Sequence, residues 1–399
     1  MISITGRLVN LKAGLKCQLT FKYNTNEQVK NFDTGSAGTN EIVGQLLSHK
    51  FSKAQLVTSS KKFTLSVGHA TGMCKLAMVE EESVVPDAAS LVHDRQKIRP
   101  IDPKAAFLRD LSVTTDSGRP LAGMADKLRQ IERFVEILSG LVESAPSLLA
   151  KVSGRSGGDP LRIVDMGSGM AYLTFAAHSY FHSRLGGAVA TVGVEARAVL
   201  VDQCTATARR LGGTFDGLSF EQGSIENFAL SDRQAVDVLI ALHACDTATD
   251  DAIFCGIASG ASVIVTSPCC HKELRRQIDK NMGACLPSTQ ELLSHGLFRE
   301  RSAEMVTDCL RVLCLNSAGY DTTVLEFVDG QHTAKNVMIA ATKRAAGSSS
   351  DAEREHYKER IAALMGSYGV ETQALARRMG IIATNEEPSL KPLKSRKKQ

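Results

Sequence analysis

Residues 161–180 read LRIVDMGSGMAYLTFAAHSY. A short apolar run closes on an acid and two nearby glycines, and helical periodicity starts directly after them. Leu161, Ile163 and Val164 suit a buried parallel strand. Gly167 and Gly169 permit backbone geometry that side chains penalise, and Leu173, Phe175, Ala176 and Ala177 open an apolar helix face. The stretch therefore predicts strand, tight turn and helix, with free N–H groups presented where the helix begins.

The position where a third glycine would fall is occupied by Tyr172. In a dinucleotide fingerprint that glycine lets helix and strand approach beside a pyrophosphate, so a tyrosine argues against NAD or FAD. A turn of the form acid, x, Gly, x, Gly, x, x, Tyr, Leu, Thr resembles motif I of the class I methyltransferases, with Asp165 as the acid. The resemblance implies S-adenosyl-L-methionine as cofactor, with Asp165, Gly167, Ser168, Gly169, Tyr172 and Leu173 around it.

Downstream, ATVGVEAR reads as a second strand ending in Glu195. In an open parallel sheet the ligand crosses the strands' carboxyl ends, where such a carboxylate can accept both ribose hydroxyls. A helix is predicted from Val199 to Leu211, then a short strand near LSFEQGSIENF, whose Ser224 and Ile225 fall where this fold touches adenine. VDVLIALHACD and ASVIVTSPCCHKEL are Val/Ile/Leu-rich, as strands buried on both faces must be, and they flank the helix TDDAIFCGIA. This alternation predicts a doubly wound α/β sheet of Rossmann-like type. Residues 273–320 read as mainly helical. TTVLEFV and NVMIAATKR then form a closing pair of strands around DGQHTAK, a terminal antiparallel hairpin where a dinucleotide domain would continue with parallel crossovers.

Upstream, MADKLRQIERFVEILSGLVESAPSLLAKV carries Leu128, Ile131, Val135, Leu138 and Leu141 at helical spacing, with Lys127, Arg129 and Arg133 elsewhere on the cylinder. Residues 86–118 mix charge, proline and glycine and read as a basic surface linker, in which Arg95, Lys97 and Arg99 alternate. Residues 1–85 read as a small β-rich or α+β domain. Its expected strands are ISITGRLVNL, LKCQLTFKY, AQLVTS, KFTLSVG and CKLAMVE, with NTNEQ as turn and EIVGQLLSHKF as a helix. The catalytic-type domain is expected over 119–345. Beyond it come a serine-rich linker, a helix in AEREHYKERIAALMGSYG, and the basic tail LKPLKSRKKQ.

The bulk composition is ordinary for a globular chain: 399 residues, 43% hydrophobic, 23% charged, formal net charge +4. It excludes a mainly disordered or membrane-embedded protein. MISITGRLVN has no leader-like pattern, and no apolar run approaches the roughly 18 residues a bilayer requires, so a cytoplasmic location without membrane partners is expected. The 10 cysteines form no CxxC knuckle and are expected reduced.

Two further strand ends, LHACDTATD and SPCCHK, should open on the same crevice as the glycine turn. They bring His243, Cys245, Asp246, Cys269, Cys270 and His271 toward the cofactor. HAC followed by ATD, then CCH, resembles the methyltransferase domain of the tRNA acceptor-stem 2'-O-methyltransferases. The wider pattern, MADK with Q-I and then LHACDTATDDAI, is similar to a bacterial methyltransferase-domain family related to the glutathione S-transferase C-terminal domain-containing protein. The resemblance spans about Lys127 to Arg344 and implies an RNA acceptor, though Lys272 stands where the tRNA enzymes have a second histidine.

His243, Cys269 and His271 are thus the candidate catalytic residues, His243 also lying beside the cofactor. No metal is expected, because adjacent cysteines at a strand end should point to opposite faces. Two other readings stay open: a non-catalytic RNA- or protein-binding module on this fold, and a NAD-dependent oxidoreductase.

Overall fold

The computed structural model describes residues 3–11, 14–22, 27–33, 53–57, 61–68, 73–80, 99–153, 159–225, 236–242, 244–327, 336–345, 347 and 350–382. The chain divides into two compact units, Met1–Ile98 and Arg99–Gln399.

The first unit contains two antiparallel three-stranded sheets. One comprises β1 (Ser3–Leu11), β2 (Gly14–Lys22) and β3 (Glu27–Asp33); the other comprises β4 (Lys53–Val57), β5 (Lys61–Gly68) and β6 (Met73–Glu80). The five expected strands are present. β3 is additional, and it takes in the end of the NTNEQ cluster read as turn. An edge strand draws its hydrogen bonds from its neighbour's backbone and needs no alternating apolar face. Here the Gln18 Nε2 donates to Asn31 Oδ1 at 3.1 Å across the pair. The helix expected in EIVGQLLSHKF lies outside the described residues.

The second unit is built on a seven-stranded sheet in the order β12-β13-β11-β10-β7-β8-β9. Its strands are β7 (Leu161–Met166), β8 (Val189–Glu195), β9 (Leu218–Gln222), β10 (Val238–Leu242), β11 (Val263–Ser267), β12 (Tyr320–Glu326) and β13 (Val337–Lys343). β7 to β11 run parallel, and β13 inserts antiparallel between β11 and β12. This is the Rossmann-like α/β fold with a terminal antiparallel hairpin that the sequence predicts.

Side-chain alternation divides the core into two layers. Leu161, Ile163, Val238, Ile240, Val263 and Val265 face one cluster. Val164, Met166, Leu239, Ala241 and Ile264 face the other, as the period of two along a strand requires. The first layer is covered by α1 (Ala106–Asp110), α2 (Ala125–Ser144), α3 (Tyr172–Arg184) and α4 (Ala198–Leu211). The second is covered by α5 (Thr247–Ala258), α6 (Lys272–Lys280), α7 (Pro287–Ser294), α8 (Gly296–Ser317), α9 (Asp351–Ser367) and α10 (Ala374–Arg378).

The linker reading of 86–118 is corrected for its described part. Ile101, Phe107, Leu108, Leu111 and Val113 are buried in the first layer, and the Phe107 ring meets Phe215 edge-on at 6.0 Å. Their apolar side chains are interspersed with charges and prolines, so composition hid them. Arg99 pairs with Glu132 of α2 at 2.9 Å, whereas Arg95, Lys97 and the basic tail lie outside the described residues. Among the described residues no helix is long and apolar enough to cross a membrane.

Candidate active site

The glycine turn leaves β7 through Gly167 and Gly169, at φ of 79° and 57°, and Ala171 before α3 is also left-handed at 58°. A left-handed alanine costs about 1–2 kcal/mol, so the surrounding bonds must hold the turn. They do: the Gly167 and Ser168 N–H groups donate to the Val194 carbonyl at 2.8 and 3.0 Å, and the Ala171 N–H to the Ser168 carbonyl at 2.8 Å.

Asp165 is buried at the end of β7 and accepts from Thr174 Oγ1 of α3 at 2.5 Å. Burial pushes its carboxyl up to about 6, with the Thr174 bond opposing and the Glu195 charge adding. Glu195, at the end of β8, reaches back to accept the Gly169 N–H at 2.9 Å. Arg197 grips the same carboxylate through its backbone N–H, Nε and Nη2 at 3.1, 2.8 and 3.2 Å. These bonds, Arg197 foremost, hold Glu195 below its usual range against the opposing effect of burial. The predicted Asp165, Gly167, Ser168, Gly169 and Glu195 therefore adjoin one another where the turn after β7 meets the end of β8.

Tyr172 and Leu173 begin α3, half-buried against the first core layer. Lys127 Nζ sits 5.4 Å above the Tyr172 ring, and burial lowers its pKa. Ser224 is exposed and Ile225 packs against the second core layer. His243 lies outside the described residues.

Past β10 and β11, three sulfurs meet. Cys245 and Cys269 are 3.5 Å apart, and Cys270 is 3.8 Å from each. The expectation that Cys269 and Cys270 point oppositely fails because β11 ends at Ser267; both residues lie in the loop beyond it, where strand alternation no longer applies.

His271 does not join the sulfurs as a fourth metal-ligating group. It is buried, with Nε2 3.0 Å from Asp308 Oδ1 on α8. Its Nδ1 has no hydrogen-bond partner among the described residues. It also lines a cavity of about 460 Å³ with Pro268, Met305, Cys309, Val312 and Val337.

A buried ionic network supports both loops. Arg311, 1% exposed, binds Asp250 through Nη2 at 2.6 Å and Nε at 3.1 Å, Asp308 through Nη1 at 3.0 Å, and the Asp246 carbonyl at 2.9 Å. Gln373 Nε2 adds a bond to Asp250 at 2.6 Å. Asp246 Oδ1 accepts the Glu273 N–H at 3.0 Å, tying the loop after β10 to the first turn of α6. Glu273 is pushed up to about 7, chiefly by burial. The acid of the ATD element thus anchors structure. Arg197, Asp308, Arg311 and Gln373 were not singled out from sequence, since an isolated arginine or acid carries no local signal of its distant partner.

No curated protein matches this chain. Solved structures similar to it include a precorrin-6y C5,15-methyltransferase from Geobacter metallireducens, at 14% identity and TM-score 0.28, covering 50% of this chain and 88% of that one. An SAH-bound methyltransferase from Podospora anserina is 11% identical, with TM-score 0.30 and coverage of 54% and 88%. Magnesium protoporphyrin IX methyltransferase from Synechocystis with bound SAH is 14% identical, with TM-score 0.29 and coverage of 55% and 94%. Residues 126–277, from α2 into α6, match the family model described as methyltransferase domain.

Proposed function

We propose that the chain is an S-adenosyl-L-methionine-dependent methyltransferase. The observation that carries the reading is the closure of Glu195, at the carboxyl end of β8, onto the Gly169 amide of the turn after β7. The residues fit this cofactor. Glu195 offers a carboxylate to ribose hydroxyls, a Cβ added at Gly167 would meet open space, and the buried Ser168 hydroxyl has no partner among the described residues. The cofactor supplies an electrophilic methyl group on a sulfonium. The protein's share is to align the acceptor in line with it and, for a hydroxyl acceptor, to receive a proton. The antiparallel β13 between β11 and β12 disfavours the NAD-dependent alternative.

Glu195→Ala should weaken S-adenosylhomocysteine binding by about 1.5–3 kcal/mol, the scale of hydrogen bonds to a charged group. Calorimetry on a variant with native circular dichroism checks this, and unchanged affinity would sink the ribose assignment. Arg197→Ala should retain or improve binding, because its exposed guanidinium competes for the same oxygens. Tritiated-methyl transfer into RNA, protein and metabolite pools separates an enzyme from a binding module that holds cofactor without turnover.

For the acceptor we propose RNA, supported by the resemblance of the H-x-C…ATD and CCH elements and by the positive net charge. Neutralising phosphates releases counterions, so affinity for bulk tRNA should fall steeply as salt rises. Deleting the tail after Pro388 should flatten that slope and leave cofactor affinity alone. Weak binding indifferent to both salt and tail would remove RNA as the acceptor.

A further inference from the structure

We propose that Cys245, Cys269 and Cys270 form a binding site for a thiophilic divalent cation of the zinc class. The three ligand atoms all lie within 4.8 Å of one another. Their edges of 3.5, 3.8 and 3.8 Å match one face of a zinc–thiolate tetrahedron. With Zn–S near 2.3 Å, tetrahedral geometry sets sulfurs about 3.8 Å apart. The cluster therefore supplies three of four corners without rearrangement. Cys245 is exposed, which gives an ion a path from solvent, and none of the three is joined in a disulfide.

The site is built by the fold. Its ligands come from the loops after two neighbouring parallel strands, β10 and β11, whose register pairs Leu242 with Ser267. Asp246, next to Cys245, is held at φ 54°, a left-handed conformation unfavourable to a side chain. Arg311 binds its carbonyl, and its carboxylate accepts the Glu273 N–H of α6. These bonds fix the loop that carries Cys245 against the one that carries Cys269 and Cys270. Soft thiolates select zinc over magnesium or calcium.

Binding replaces three S–H protons with three S–metal bonds, and the protons pass to solvent. A bound ion cross-links the loops that follow β10 and β11. Cys269 is then a ligand; the site requires neither the proposed cofactor nor the proposed acceptor.

The full chain should be expressed in zinc-supplemented medium and purified under reducing, chelator-free conditions. Elemental analysis should find about one zinc per chain, as for a dedicated thiolate site. Cobalt replacing zinc should give intense thiolate-to-cobalt charge-transfer absorption. Cys245→Ser, Cys269→Ser and Cys270→Ser should each lower cobalt affinity at least about tenfold, whereas Cys309→Ser, exposed and outside the cluster, should not. The wild-type cobalt spectrum decides alone if the variants do not fold. Metal-free protein with no thiolate band would overturn the proposal, as would zinc retained in all three variants. A Cys245–Cys269 disulfide found by mass spectrometry under these conditions would also overturn it, marking a redox pair.

Discussion

Arg311→Ala should destabilise the second unit by about 3–5 kcal/mol, the range for removing one partner of a buried ion pair. Both side chains of the Arg311–Asp250 pair are 1% exposed, and Asp308 is 11% exposed. The pair is thus shielded from bulk solvent. The alanine variant would leave Asp250 with only the Gln373 amide, and the Asp246 carbonyl would lose a donor. Domains are stable by only about 5–15 kcal/mol, so failure to fold is within range. Urea unfolding measures the loss, with Lys358→Ala as control because its pair with Glu355 lies on the surface of α9 and should matter by less than about 1 kcal/mol. Arg311→Met combined with Asp250→Asn should recover part of the loss, since it removes charge from both sides of the tightest pair. Equal stability of Arg311→Ala and wild type would show that this network does not hold the loops.

His271→Ala should lower the methyl-transfer rate by about 10²–10⁴-fold, the usual contribution of a positioned general base, with little change in S-adenosylhomocysteine affinity. Asp308 lies 3.0 Å from Nε2, which favours the tautomer carrying its proton there and leaves Nδ1 as an acceptor; among the described residues Nδ1 has no hydrogen-bond partner. The ring also borders the largely apolar cavity between α8 and the end of β11. Asp308 also binds Arg311 at 3.0 Å, so Asp308→Asn should change both rate and stability, and the two must be measured together. Single-turnover methyl transfer with saturating cofactor gives the rate. His271→Ala should keep its zinc complement, which separates this role from that of the cysteines. A rate near wild type in a folded variant would remove His271 from the chemistry.

Much of the second unit is legible in the amino-acid sequence. Leu161 and Ile163 against Val164 and Met166 announce a strand buried on both faces, and the unbroken apolar runs of β10 and β11 do the same. Gly167 and Gly169 mark a turn because their backbone conformations are local properties. Glu195 stands out by its place at a strand end, and the closing antiparallel pair by its order in the chain. These signals survive in one dimension because periodicity, turn chemistry and strand order are set by near neighbours along the chain.

Tertiary structure decided what depends on distant partners. Arg311 finds Asp250 across 61 residues, and Gln373 finds it across 123. Cys245 and Cys269 meet across 24. Loop geometry beyond β11 turned Cys269 and Cys270 together where strand alternation would have parted them. Phe107 and Leu108 went into the core from a segment whose charges suggested surface. A charged or thiol side chain has no periodicity to betray its partner, and only the packing of α8 and of the two strand-end loops brings these groups within bonding distance.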